Sequence, residues 1–355
     1  MNNPTNTKVS IIIPVFNAGS YLRQCLDSVI NQTLHEIEII CINDGSNDNS
    51  PEILEEYATK DKRIKLIHQC NSGTGTARNK GIRAASSPYI GFVDADDIIV
   101  STMYEKMYNA IKSNNVELVH CDSFIFYEFN TLNTAYPDYH DWFSHFAGKH
   151  DNKTIQNIDG VLWNKLFIKE ILTNNSLYFP EGMCSVEDTC FTWCYFAITN
   201  NTLFIDEKLY YYFIRSGTVA ASNYEKTIGE RQKEYIECGI FFYNFLINNN
   251  VFLDYQIAFW QRFAEYIGMF FAIGNEEMNR NYALPVIKDF LADKDISCLV
   301  EEKYSMLQLI KNGQPDDDRI DNTTDKNTER TVYLSVLRKI CKNILQKAFF
   351  VFQRS

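Results

Sequence analysis

The sequence predicts an α/β protein: a mostly parallel sheet flanked by helices, followed by a helical C-terminal region and an amphipathic tail helix. Three observations carry this. Apolar, β-branched runs alternate with helical periodicity through the first hundred residues, as in a parallel sheet covered on both faces. Polar residues gather at the C-terminal ends of successive runs, at Asn17, Asp44 and Asp94 to Asp97, the rim where such sheets bind ligands. Beyond Tyr224, aromatic stripes recur at helical spacing.

Each element has its own signal. Lys8 to Val15 reads as a buried strand closed by Pro14, and Phe16 to Gly19 as a turn. Ser20 is expected to cap a helix from Tyr21 to Gln32 whose apolar face carries Leu22, Leu26, Val29 and Ile30. A second strand, Glu36 to Ile42, enters the polar loop Asn43 to Asp48. Pro51 starts a helix ending near Lys60, and Ile64 to His68 forms a third strand. The loop Asn71 to Thr76 precedes a helix from Ala77 to Ala85. The strand Tyr89 to Val93 then meets Asp94-Ala95-Asp96-Asp97, followed by a helix to Asn114 and a strand over Val116 to Phe126. Residues 128–157 are aromatic, polar and irregular. Their histidines, His140, His145 and His150, do not stack on one helix face, which points to a loop near an acceptor pocket or a surface insertion. A helix over Cys190 to Ala197 begins at the acid pair Glu187-Asp188.

Composition narrows the function. The chain has 355 residues, 14% aromatic content and a net charge of −11, which argues against nucleic acid as a partner. Ten cysteines without CxxC pairs fit free thiols in a reducing cytoplasm. The N-terminal apolar run is too short and wrongly flanked for a signal peptide. No stretch supplies the roughly 18 apolar residues that span a bilayer. The expected organisation is a catalytic domain over residues 1–215, a helical domain over 216–311, a disordered linker over 312–330 and a basic amphipathic helix over 331–355. That last helix carries Arg338, Lys339, Lys342 and Lys347 on its polar side. It suits an anionic membrane surface, which would make the protein cytoplasmic and peripheral on the inner face; packing on its own domain or a second subunit is the alternative.

The acidic strand end suggests chemistry. Carboxylates crowded at the end of a buried strand repel one another and lose hydration. A divalent cation offsets that cost, and an oxygen-rich site suits Mg²⁺ or Mn²⁺; a solvated acidic turn is the bland alternative. The Gly73-x-Gly75 loop is no dinucleotide fingerprint, because Arg78 replaces the third glycine, and it lacks the Gly-Lys-Ser/Thr of a phosphate loop. A Ca²⁺ loop starting at Asp94 would need glycine where Ile99 stands. Acids in the first turn of a helix are stabilised by its dipole, so Glu187-Asp188 is either ordinary capping or a general base.

Six segments in order, Val9 to Asn17, Glu38 to Asp48, Gly75 to Gly81, Phe92 to Asp97, Trp163 to Leu166 and Glu187-Asp188, resemble the inverting, metal-dependent family 2 glycosyltransferases of the GT-A fold. The strong part of the resemblance covers residues 8–115 and a weaker part extends to about 215. It implies that Pro14, Val15 and Asn17 line a nucleotide pocket and that Asp44 accepts the uracil N3–H. Arg78 and Asn79 would border the uridine or its diphosphate. Asp94, with Ala95, would face the ribose, and Asp96, with Asp94, would hold Mn²⁺ or Mg²⁺. Asp97 would cap the following helix or reach the metal through water. Asp188, ahead of Glu187, would deprotonate the acceptor, while Trp163 and Lys165 would contact a sugar ring and the diphosphate. The implied partners are a UDP-sugar donor and a glycan or lipid-linked glycan acceptor. A nucleotidyltransferase lacks support, because Pro14 to Gly19 contains no glycine-rich basic phosphate loop. A catalytically idle sugar-nucleotide or glycan-binding module is the rival of another class.

Overall fold

The computed structural model describes residues 7–127, 148–151, 160–183, 186–214, 228–273, 282–294, 296, 307 and 311. The expected loop over 128–157 lies almost wholly outside these residues, as do the expected linker and tail over 312–355. The chain divides into two compact units, Met1–Ser222 and Asn223–Ser355.

The first unit is built on one mixed sheet. Strands β1 (Val9–Val15), β2 (Ile37–Asp44), β3 (Ile64–Gln69) and β4 (Tyr89–Phe92) are joined by α1 (Leu22–Ile30), α2 (Ser50–Lys60) and α3 (Thr74–Ala84). These four strands lie in the order β3-β2-β1-β4, all parallel. β1 and β2 are almost wholly buried because helices cover both faces, which is why they read as continuous Val/Ile runs. Pro14 is tolerated in the central β1 because pairing with β4 ends at Ile12 and Phe92; no ladder donor is lost. Gly91 lets the Tyr104 ring pack on β4: a Cβ there would lie 2.4 Å from Tyr104 Cε1.

Beyond β4 the sheet changes character. After the short strand β5 (Ile98–Ile99) come α4 (Met103–Asn114), β6 (Leu118–Tyr127), β7 (Gly148–Asp151), β8 (Lys165–Ile168), α5 (Lys169–Asn174), α6 (Glu187–Ala197) and β9 (Asn201–Ile214). The order continues β4-β8-β6-β9-β5, with β7 also on β9. Here only β6 and β9 pair in parallel; β8, β5 and β7 run antiparallel to their neighbours. β9 is the hub, since it touches β6, β5 and β7.

Three local expectations change. Ser20 does not cap α1: the cap is Tyr21, without a side-chain bond, and Ala18 C=O instead receives the Tyr21 and Leu22 N–H groups. α3 begins at Thr74 rather than Ala77, because Gly73 adopts φ +89°, a conformation glycine takes without penalty. Asp97 caps no helix, as shown below.

The second unit contains α7 (Ile228–Asn248), α8 (Phe252–Ile273) and α9 (Leu284–Leu291). A three-residue turn links α7 to α8, with Asn250 left-handed at φ +59°. Gly239 allows close approach, for a Cβ there would lie 2.5 Å from the Phe263 ring. Phe242, Phe245, Trp260, Phe263 and Ile267 are buried, so the aromatic stripes are core.

Candidate functional site

The parallel strands deliver their C-terminal ends to one rim, and the loops there are tied to one another. Asn17, at left-handed φ +51°, donates its N–H to Ser46 Oγ (3.0 Å) and accepts the Asn47 N–H on its side chain (2.8 Å). Ala18 and Gly19 donate to Ser50 Oγ and Asp48 Oδ2. The loops after β1 and β2 thus form one unit beside Pro14 and Val15. Gly45, at φ +72°, is required because a Cβ would meet the Asn71 nitrogen at 2.7 Å.

Asp44 organises the third loop. Its buried carboxylate accepts from Gln69 Nε2 (2.7 Å), Ser72 N–H (2.9 Å) and Gly73 N–H (2.9 Å). One side chain therefore fixes the backbone that opens α3.

The turn after β4 sorts its acids by direction. Asp94 and Asp96 are half-buried, while Ala95 and Asp97 are buried. The Asp97 N–H donates to Asp94 C=O (3.1 Å), and Cys25 Sγ approaches the same carbonyl at 3.4 Å. Asp97 faces β9, accepting the Tyr210 hydroxyl on Oδ2 (2.9 Å) and the Phe213 N–H on Oδ1 (2.9 Å). Tyr210 in turn accepts the Asp94 N–H (3.1 Å). Burial, then the charges of Asp96 and Asp94, push the Asp97 carboxyl well above its ordinary range.

Arg78 connects this turn to the acid pair on α6. The guanidinium is buried, donating to Asp94 Oδ1 (2.9 Å) and Glu187 Oε1 (3.0 Å) and lying 5.5 Å from the centre of the Phe179 ring. Its Nε–H has no acceptor among the described residues. Burial opposes the charge, but Asp94, Glu187 and Asp188 together hold Arg78 protonated, its pKa raised. Asp188 itself is half-buried, and its Oδ1 accepts the Thr189 N–H (2.6 Å). Burial and the neighbouring Glu187 charge lift its carboxyl to about 7 against the opposing pull of Arg78. Two adjacent acids in one helical turn thus differ: Glu187 is ion-paired, and Asp188 is poised near neutrality.

The remaining expected residues sit differently. Asn79 is buried and both ends of its amide hold Phe179, donating to its C=O (3.0 Å) and accepting its N–H (2.8 Å). Trp163 stacks on Tyr210 (4.3 Å between centroids) and Tyr212 (5.2 Å). Lys165 is fully buried, with Nζ donating to Asn164 Oδ1 (2.8 Å). These three side chains are engaged inside the protein rather than displayed on the rim.

Sequence reasoning passed over Tyr210 and Tyr212. Tyr212 is half-buried and feels Asp97, Asp94, Asp96 and Asp188 together, so it lies among both sets of acids. The run Leu209-Tyr210-Tyr211-Tyr212-Phe213 is a strand signal in its composition, and period 2 puts Tyr210 and Tyr212 on one face.

Oxygen donors at this rim suit a hard cation, but not an all-protein cage. Among the described residues no group of three or more His, Cys, Asp or Glu is arranged to hold a metal ion. A Mg²⁺-type ion bound by one or two carboxylates and completed by substrate phosphates needs no such group. Asp96, with Asp94 beside it, fits that mode.

Known proteins resemble this chain in sequence and fold. The sequence profile described as "Glycosyl transferase family 2" matches residues 10–174. A glycosyltransferase named EpsJ from Bacillus subtilis is 33% identical over 249 residues, covering 66% of this chain and 70% of its own. A second from the same organism, EpsH, described as a putative glycosyltransferase, is 34% identical over 256 residues, covering 70% and 72%. Among solved structures, S. aureus TarS 1-349 in complex with UDP-GlcNAc superposes with a TM-score of 0.69 at 20% identity, covering 96% of this chain and 92% of that one. The last likeness bears on fold, which is that of the GT-A proteins.

Proposed function

This chain belongs to glycosyltransferase family 2, and from that premise we propose that it moves a sugar from a UDP-sugar to a hydroxyl of a glycan or lipid-linked glycan. One observation carries the reading: Arg78 joins Asp94, at the sheet's C-terminal rim, to Glu187 of the Glu187-Asp188 pair. TarS, which shares the fold, has been crystallised with UDP and with UDP-GlcNAc, and this supports a uridine donor.

Roles follow from partners. Asp188 is the base: a carboxyl at about 7 is matched to taking a hydroxyl proton near neutral pH. Glu187, neutralised by Arg78, orients that guanidinium instead. The unfilled Nε–H of Arg78 suits a diphosphate oxygen. Asp44 Oδ2, which receives one donor, keeps a lone pair for the uracil N3–H. Asn17, Pro14 and Val15 wall the base-binding side, and Asp94 with Ala95 faces the ribose. A Mn²⁺ or Mg²⁺ ion held at Asp96 would neutralise charge on the departing diphosphate. Attack by the acceptor oxygen on the anomeric carbon, opposite that leaving group, inverts the centre. Asn79, Trp163 and Lys165 support the cleft from within.

The acceptor reading rests on sequence. Among the described residues no helix is long and apolar enough to cross a membrane; contact of 331–355 with an anionic surface, on a peripheral enzyme, is proposed from its basic amphipathic pattern.

The test is UDP release from a panel of UDP-sugars with Mn²⁺, followed by NMR of the product. The expected result is sugar-dependent release and a β-linked product from an α-linked donor. An α-linked product would overturn inversion, and release unchanged in Asp188→Asn would overturn the assigned base. No release with any donor would leave a binding module as the better description.

A further inference from the structure

The acids of the β4 turn cannot hold their arrangement alone. The turn's own backbone supplies one bond, from Asp97 N–H to Asp94 C=O, while three carboxylates within four positions repel one another. Arg78 offsets part of that repulsion at the Asp94 side chain, and the hold on the rest of the turn comes from β9, 113 residues further along the chain. Tyr210 is fully buried, and its hydroxyl bridges two members of the turn: it accepts the Asp94 N–H and donates to Asp97 Oδ2. The ring is fixed in its turn by Trp163, stacked at 4.3 Å, and by the pairing of Ile99 with Tyr210 in the sheet. Phe213 N–H holds the other oxygen of Asp97. With Asp97 drawn inward and the Asp94 backbone pinned, Asp94 and Asp96 are the half-exposed acids of the turn.

We propose that Tyr210 is a positioning residue for the cation-holding carboxylates, setting the Asp94–Asp97 turn in ligating geometry through its bridging hydroxyl. This rests on the reading of Asp96 as a Mn²⁺ or Mg²⁺ ligand. The hydroxyl touches neither donor nor acceptor; Tyr210 acts through the turn. Its removal leaves the Asp94 N–H without a partner and Asp97 short of one donor in a buried setting. Trp163, singled out from sequence as a sugar contact, contributes by stacking against this ring.

The protein offers a matched control in Tyr195 on α6. It too is fully buried, with a hydroxyl that accepts a backbone N–H, from Ile168 (2.9 Å), and donates to an oxygen, Glu117 C=O (2.8 Å). Tyr195→Phe and Tyr210→Phe therefore delete the same chemistry in two places.

The experiment titrates Mn²⁺ into UDP-saturated protein and follows free Mn²⁺ by electron paramagnetic resonance, with binding by UDP alone subtracted. Thermal unfolding is recorded in parallel. Both variants should lose similar thermal stability, and only Tyr210→Phe should weaken Mn²⁺ binding, by roughly tenfold, the worth of about one hydrogen bond. Asp97→Asn, which disrupts the same link from its other end, should weaken it as well and serves if Tyr210→Phe does not fold. Wild-type-like Mn²⁺ affinity in Tyr210→Phe or Asp97→Asn, or an equal loss in Tyr195→Phe, overturns the positioning role alone. Failure of the wild-type protein to bind Mn²⁺ with UDP overturns the metal reading and this inference with it.

Discussion

Two carboxylates, Glu38 buried on β2 and Asp188 half-buried on α6, have surroundings that drive them apart. Glu38, where β2 begins, accepts from Ser10 Oγ, Lys65 Nζ, Ser86 Oγ (2.9 Å) and the Ser86 and Ser87 backbone N–H groups. Burial penalises its charge, but Lys65, Ser10 and Ser86 outweigh that and hold its carboxyl at about 2. Asp188, on α6, receives one backbone N–H among the described residues and adjoins Glu187, and its carboxyl rises to about 7. The edge that joins α3 to β4 saturates its acid with donors and gains a rivet. Asp188, given few donors among the described residues, keeps the carboxyl near neutrality that the proposed base requires. Donors among the described residues outweigh the burial penalty at Glu38 and do not at Asp188.

The largest test of this contrast is Asp188→Asn. Its turnover should fall by about 10²–10⁴, the typical contribution of a general base, while Glu38→Gln should leave turnover per folded molecule unchanged. A large loss in Glu38→Gln, measured on protein shown to be folded, would break the division. Next comes pH. The base works ionised, so wild-type rate should climb through about pH 7, and Asp188→Asn should lose that limb. Stability runs the other way. A carboxyl raised from 3.8 to about 7 contributes stability fully present below 3.8 and lost as pH rises through 7. Asp188→Asn should therefore unfold roughly a few degrees higher than wild type at pH 8 and show no such gain at pH 4.

Glu38 gives the opposite pH dependence. Its carboxyl falls from 4.5 to about 2, so its stabilisation is present above 4.5 and lost as pH falls towards 2. At pH 7 Glu38→Gln should cost about 2–3 kcal/mol, the scale for hydrogen bonds to a buried charge, and the difference from wild type should shrink at pH 3. The smallest expected effect sharpens the role of burial. Glu56 is also held at about 2, by Arg23 and Lys60, but on the surface. Glu56→Gln should leave the unfolding temperature unchanged within measurement, because exposed ion pairs contribute little.

How much of this was legible in the sequence differs by residue. β1, β2 and the acidic turn were, because a buried strand in a parallel sheet is apolar on both faces and its end marks the binding rim. The pairing of Asp188 with a distinct cleft acid was implied only by resemblance, since nothing local to Glu187-Asp188 separates a base from dipole capping. The inward turn of Asn79 and Lys165 was hidden for a different reason. A polar side chain at an α3 or β8 position reads as ligand-facing until its partners, Phe179 and Asn164, are placed beside it. Of the two roles read for Asp97, capping fails, and the cause was out of sight because its partners Tyr210 and Phe213 lie more than a hundred residues away. The early start of α3 follows from Gly73, whose positive φ opens the helix three residues sooner than the apolar pattern suggests.

The reach from Asp97 to Tyr210 and Phe213 also has a consequence in time. During synthesis β1 to β4 can pair as soon as they leave the ribosome, since their partners are close in sequence. The acidic turn has to wait for β9, some 113 residues later, or roughly 6–23 seconds at ordinary elongation rates. Through that interval the growing chain carries an acidic turn whose three carboxylates have not yet been told which way to face. The loops after β1 and β2 can thus form before the acidic turn is fixed, and no truncation ending before residue 210 should order that turn as the full chain does.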